Sequence, residues 1–175
     1  MELPGSTYLY TMAALGMTFV GFTTIVLILR QVMGRELTPF DSLLAHIYME
    51  LGLLVSIGSM LPSLFAIWGF SETLVWRLSS AISGFLSLLW IATYPHRRRV
   101  ATGERLPRYV QINSVYMYLI TGTFLSNAFG IFGEPKLSLF ATADTAILMF
   151  AAGAFLQALN KIIHYNPKSR SKNST

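Results

Sequence analysis

The chain contains no cysteine among its 175 residues. That excludes disulfides, thiolate metal sites and cysteine nucleophiles, and it leaves the redox compartment undecided. Charge is scarce too: 12% of residues are Asp, Glu, Lys or Arg, about half of what a soluble domain carries. There is no HExxH helix and no Gly-rich loop with a P-loop lysine. No serine has the context of a nucleophile elbow. His46, His96 and His164 are too scattered along the chain to suggest a metal cluster. The expectation is a protein that is not an enzyme and holds no metal, with its cofactors unknown. Residues 1–5 lack the basic segment that opens a secretory signal, so the first apolar block is expected to be retained.

Apolar residues, by contrast, make up 53% of the chain. They fall into five blocks at residues 8–29, 43–68, 74–94, 109–129 and 137–163. A bilayer span needs about 20 such residues. A soluble core helix would keep a polar face toward water, and these blocks do not. The predicted fold class is all-α, a polytopic membrane bundle of five transmembrane helices. It forms one domain over residues 1–166, followed by a basic, disordered cytoplasmic tail at 167–175. The punctuation agrees. Thr38 and Pro39 fit the N-cap and first position of the second helix, with Asp41 in its first turn. Pro62 lies inside that helix and predicts a kink. Tyr94 and Pro95 are read as the end of the third helix, and Gly130 and Gly133 as the stop of the fourth.

Basic residues alternate with the blocks. Arg30 and Arg35 follow the first, Arg97, Arg98, Arg99, Arg105 and Arg108 follow the third, and Lys161, Lys168, Arg170 and Lys172 follow the fifth. The other side has only Arg77 and Lys136. The rule that basic connections stay inside places the N-terminus outside and the C-terminus in the cytoplasm. It also explains the high pI without nucleic acid as a partner. Tyr8, Tyr10, Trp68, Trp76 and Phe132 would form an outer aromatic belt, and Tyr94, Tyr109 and Tyr165 an inner one.

Two acids fall inside apolar blocks, where an ionisable group costs about 2.5–3.5 kcal/mol and is a functional candidate by default. Glu50 has His46 one turn earlier on the same face. The pair could handle a proton or cation, or ring an oligomer axis; alternatively Glu50 is a hydrogen-bonded packing residue. Asp144 lies between Thr142 and Thr145. It could be an ion ligand or a vestibule charge, or it could pair with Arg77, which enters from the same side and can snorkel. Thr123 and Asn127 share a face of the fourth block and could line a hydrated path or bond between helices. Arg97, Arg98 and Arg99 could bind anionic lipid headgroups, or only fix topology. Small residues recur at four-residue spacing, among them Gly52 and Ser56; Ser79, Ser83 and Ser87; and Gly122, Ser126 and Gly130. Such faces let helices approach closely.

The function read from this pattern is a small oligomeric channel or transporter for a small ion or solute in a cell membrane, of the bacterial inner-membrane kind. The alternative is a non-enzymatic anchor, assembly or signalling subunit acting through a partner protein. The expected partners are the lipid bilayer, further copies of the chain and, on the alternative reading, a second protein.

Overall fold

A computed structural model describes residues 3–32, 38–103 and 108–163; for residues 30, 40–41, 108–109 and 157–163 only the backbone is described. The predicted tail at 167–175, with Lys168, Arg170 and Lys172, lies outside the described residues, as do Arg35 and Arg105. The chain forms five helices: α1 (Ser6–Val32), α2 (Pro39–Ile67), α3 (Glu72–Thr102), α4 (Arg108–Phe129) and α5 (Leu137–Ile163). No strand occurs among the described residues. Four helices are long and apolar enough to cross a membrane: α1, α2, α3 and α5.

The helices run up and down in sequence order. Glu50, early in α2, meets Arg97, late in α3. Asn127, near the end of α4, meets Ser80, early in α3. Ser59 of α2 meets Asp144 of α5, and Tyr48 donates to the Ala154 carbonyl at 2.9 Å, so α2 and α5 are antiparallel. One end of the bundle therefore gathers Ser6, Ile67, Glu72, Phe129 and Leu137; the other gathers Val32, Pro39, Thr102 and Arg108. Helices α2 to α5 form a four-helix core in which α2 touches α3 and α5, and α4 closes the ring. Helix α1 lies outside this ring, mainly against α2. Only 17% of its most apolar stretch is buried, against 44% for α2 and α3.

Contact between α1 and α2 is made backbone to backbone. A Cβ added at Gly16 would stand 2.7 Å from the Gly52 carbonyl oxygen, and one added at Gly52 would stand 2.9 Å from that of Gly16. Ser56 seals the crossing by donating to the Ala13 carbonyl at 3.0 Å. This is the close approach that small residues permit where hydrophobic exclusion does not drive helices together. Helix ends are closed by glycine. Gly69, at φ +81°, turns the chain out of α2. Its N–H reaches the Ala66 carbonyl and that of Phe70 reaches Phe65, the Schellman pairing, with the Phe65 and Phe70 rings 5.9 Å apart as its apolar clasp.

Helix α3 corrects the sequence reading. It does not stop at Tyr94 but continues through Pro95 to Thr102. Proline removes one helical donor, the one that would bond Ile91. The following turns are held by Arg97 and by the Gly103 N–H on the Arg99 carbonyl at 2.9 Å. At 31 residues, α3 is about 46 Å long, well beyond the ~30 Å of hydrocarbon. Trp76 departs from its expected place in the outer aromatic belt. It is 1% exposed, packs on Phe140 at 5.9 Å, and belongs to the core.

Large apolar side chains face outward from every helix. Examples are Met17 and Phe22 on α1, Ile57 and Met60 on α2, Phe85 and Leu89 on α3, and Met149 and Leu156 on α5. On α4, Ile112, Val115 and Leu119 form one exposed stripe, while Thr121 and Asn127 are buried. Helix α4 thus combines an outward apolar stripe with polar side chains buried in the bundle. A soluble monomer rarely exposes such continuous apolar surface.

Candidate functional site

Three polar assemblies lie inside the bundle. The first joins α2 to α3 near the Thr102 end. Arg97 grips Glu50 with both guanidinium nitrogens, at 2.6 and 2.7 Å. The Trp90 indole N–H donates to Glu50 Oε2 at 3.0 Å. Trp90 stacks on Tyr94 with centroids 5.4 Å apart. Trp90 and Arg97 are seven residues apart on α3, so both project from one face. A planar guanidinium on a carboxylate is the strongest geometry such a pair has. Glu50 is thus a helix fastener within its own chain. His46, exposed, bonds the Ser42 carbonyl at 2.7 Å and forms no hydrogen bond with Glu50 among the described residues.

The arginine run is divided by helix geometry. Successive residues turn by about 100°, so three arginines in a row cannot share a direction. Arg97 binds Glu50, Arg98 is 5% exposed beside Tyr94, and Arg99 alone of the three is exposed. The headgroup surface expected from all three reduces to Arg99.

The second assembly is a clamp at the Ser6 end. Asn127, 1% exposed, donates to Ser80 Oγ at 2.8 Å and to the Lys136 carbonyl at 3.1 Å. Its Oδ1 accepts the Lys136 N–H at 2.8 Å. One amide therefore closes the α4–α5 connection and ties it to α3. Thr123, expected beside it on a hydrated path, bonds the Leu119 carbonyl of its own helix. Replacing Asn127 by Ala removes three hydrogen bonds, one buried and two part-buried, and we expect a loss of about 2 kcal/mol. The thermal midpoint in detergent should fall by about 4–8 °C.

The third assembly lies in the middle of the bundle, where α2, α3 and α5 meet. Asp144 is 1% exposed, the most completely enclosed carboxylate among the described residues. Ser59 Oγ donates to its Oδ2. Its Oδ1 borders Gly58: a Cβ added at Gly58 would stand 3.6 Å from Asp144 Oδ1 and 3.2 Å from Ser83 Oγ. Among the described residues the buried Ser83 hydroxyl has no hydrogen-bond partner, and neither have those of Ser79 and Ser87 above and below it on α3. The Arg77–Asp144 pair expected from the sequence does not form. Arg77 is exposed and reaches toward Gly130. Its neighbours Val75 and Trp76 take the inward directions, and residue 77, about 100° further round the helix, falls outside that buried arc.

Ser59, Gly58 and Ser83 were not singled out with Asp144 by sequence. Ser83 carried a signal, as part of the serine repeat, but spacing alone does not reveal which helix a face meets. No group of three His, Cys, Asp or Glu side chains suited to a metal ion occurs among the described residues. Compared with protein-family models, curated proteins and solved structures, the chain matches none.

Proposed function

We propose that this chain is a five-span integral membrane protein that passes a small ion across the bilayer, with Asp144 as the station the ion occupies on its way. The observation that carries the reading is the enclosed carboxylate at the junction of α2, α3 and α5. An acid at that depth is costly in a bilayer and is tolerated for what it binds or relays. The unpartnered hydroxyls of Ser79, Ser83 and Ser87 on one face of α3 support it, because a buried polar group without a protein partner lacks compensation for its lost water.

The insertion is supported by the outward apolar stripes on all five helices, α4 included. The orientation follows from charge. Arg97, Arg98, Arg99 and Arg108 gather at the Thr102 end, with Arg77 and Lys136 at the other, and the rule that basic connections stay inside supports a cytoplasmic Thr102 end and an outer N-terminus. A bacterial cell membrane and a homo-oligomer remain part of the proposal. Glu50 no longer serves as a ring of free carboxylates around an oligomer axis, since Arg97 of its own chain holds it.

The test is flux. In proteoliposomes under an imposed gradient, the wild-type protein should move protons or monovalent cations, and Asp144→Asn should bring flux to the level of empty vesicles. Asn127→Ala should retain flux once corrected for folded protein. Unchanged flux in Asp144→Asn would overturn the assignment. A second reading, a membrane subunit acting through a partner protein, draws on the internal engagement of Glu50 and Asn127. It predicts no flux from wild type and a stoichiometric partner on purification.

A further inference from the structure

A proline four residues beyond a carbonyl leaves that carbonyl without its helical donor. In α2 the proline is Pro62, and the carbonyl it releases is that of Gly58. Pro62 is fully buried, so the released oxygen opens on the interior side of α2. Gly58 is also the residue whose missing side chain leaves space bordered by Ser83 Oγ and Asp144 Oδ1. A carboxylate oxygen and a hydroxyl without a partner among the described residues therefore border the residue whose carbonyl Pro62 deprives of its usual helical donor. In a bilayer such groups must find a partner inside the protein.

We propose that this volume binds a small monovalent cation of the sodium class, coordinated by Asp144 Oδ1, Ser83 Oγ and the Gly58 carbonyl. The inference rests on the transport reading of Asp144 and names the ion it carries. An all-oxygen donor set suits a hard cation and disfavours the soft metals that seek thiolate or imidazole. One carboxylate balances one positive charge; a divalent ion would leave an uncompensated charge in a low-dielectric interior. Ser83 Oγ and Asp144 Oδ1 stand 3.2 and 3.6 Å from the would-be Cβ of Gly58, close walls that favour sodium or lithium over potassium. Ser59 contributes by donating to Oδ2, which fixes the carboxylate with Oδ1 toward the gap. It is a positioning residue.

The experiment uses the full-length protein in detergent at constant ionic strength. Thermal unfolding is followed while choline is replaced by sodium, lithium or potassium. A ligand that binds only the folded state raises the midpoint in a saturable way. Sodium and lithium should do so and potassium should do so far less. Gly58→Ala places a methyl 3.2 Å from Ser83 Oγ, in the ion's space, and it should abolish the sodium response, read against the variant's own midpoint in choline. Ser83→Ala should raise the half-saturating sodium concentration by about tenfold, the order expected for losing a supporting ligand interaction. A wild-type midpoint that does not distinguish sodium from choline would overturn the proposal. So would a sodium response that survives both substitutions. The two readings fail separately: proton flux that needs Asp144 without any sodium response sinks the ion assignment and leaves transport standing, whereas a sodium response without flux does the reverse.

Discussion

Gly52→Leu is expected to separate α1 from α2 and to lower the thermal midpoint of the detergent-solubilised protein by about 10 °C. A side chain at this position meets Val20 Cγ2 at 2.7 Å and the Gly16 carbonyl oxygen at 2.9 Å from the would-be Cβ. Flexible side chains can swing aside, but a carbonyl oxygen inside a helix cannot. Overpacking a well-fitted interface costs about 1–3 kcal/mol, and the fixed Gly16 carbonyl oxygen puts this case at the top of that range. A loss of ~3 kcal/mol in a chain of this size corresponds to about 6–12 °C. The separation would also break the Ser56 bond to Ala13. Gly21→Leu on α1 is the control, since nothing lies within 4 Å of its would-be Cβ. Its midpoint should remain at or above that of wild type. Equal losses in both variants would show that the Gly16–Gly52 crossing is not what holds α1.

Arg97→Met is the second large effect. It leaves the Glu50 carboxylate part-buried, with only the Trp90 N–H as a donor among the described residues. Removing one member of a fully buried pair costs about 3–5 kcal/mol, and an exposed pair contributes at most about 1 kcal/mol. The side chains here are 31% and 35% exposed, so a loss of about 2–3 kcal/mol is expected. The sign of the double variant is the stronger test. Glu50→Gln with Arg97→Met should be more stable than Arg97→Met alone, because no unpaired charge then remains. If the two single losses simply add, the pair is not coupled. Flux through the Asp144 station, measured per folded molecule, should persist in the double variant. A loss of flux there would return Glu50 to the ion pathway.

Both partners of this pair were visible in the sequence, yet they were given unrelated roles, Glu50 to a pathway and Arg97 to lipid. The cause is the reading of Pro95 as a helix end. Once α3 continues past it, Arg97 lies two turns beyond Trp90 on the face that meets α2. The blocks themselves were legible because length and apolarity act locally: the fourth and fifth begin and end within a residue of the observed helices. Gly52 and Ser56 were legible as a close-packing face, but Gly16, on the opposing helix, was not. Spacing identifies a face and says nothing about what covers it. The same limit separated Asp144 from Ser59 and Ser83. Its depth could be read from its place in the fifth block, whereas its surroundings depend on how α2, α3 and α5 come together. Arg77 was the nearest plausible partner in sequence terms, and the inward turn of Trp76 removed it.

The peripheral place of α1 bears on biogenesis. Among these five helices it leaves the ribosome first, yet its crossing surface, Gly52 and Ser56, lies on the helix that follows, while the ring it leans against is completed only by α5. In a bilayer it would insert as the most apolar segment and dwell in lipid until α2 arrives. Glycine at the crossing lets that late docking bring the two backbones together, with the Ser56 bond to Ala13 closing it last.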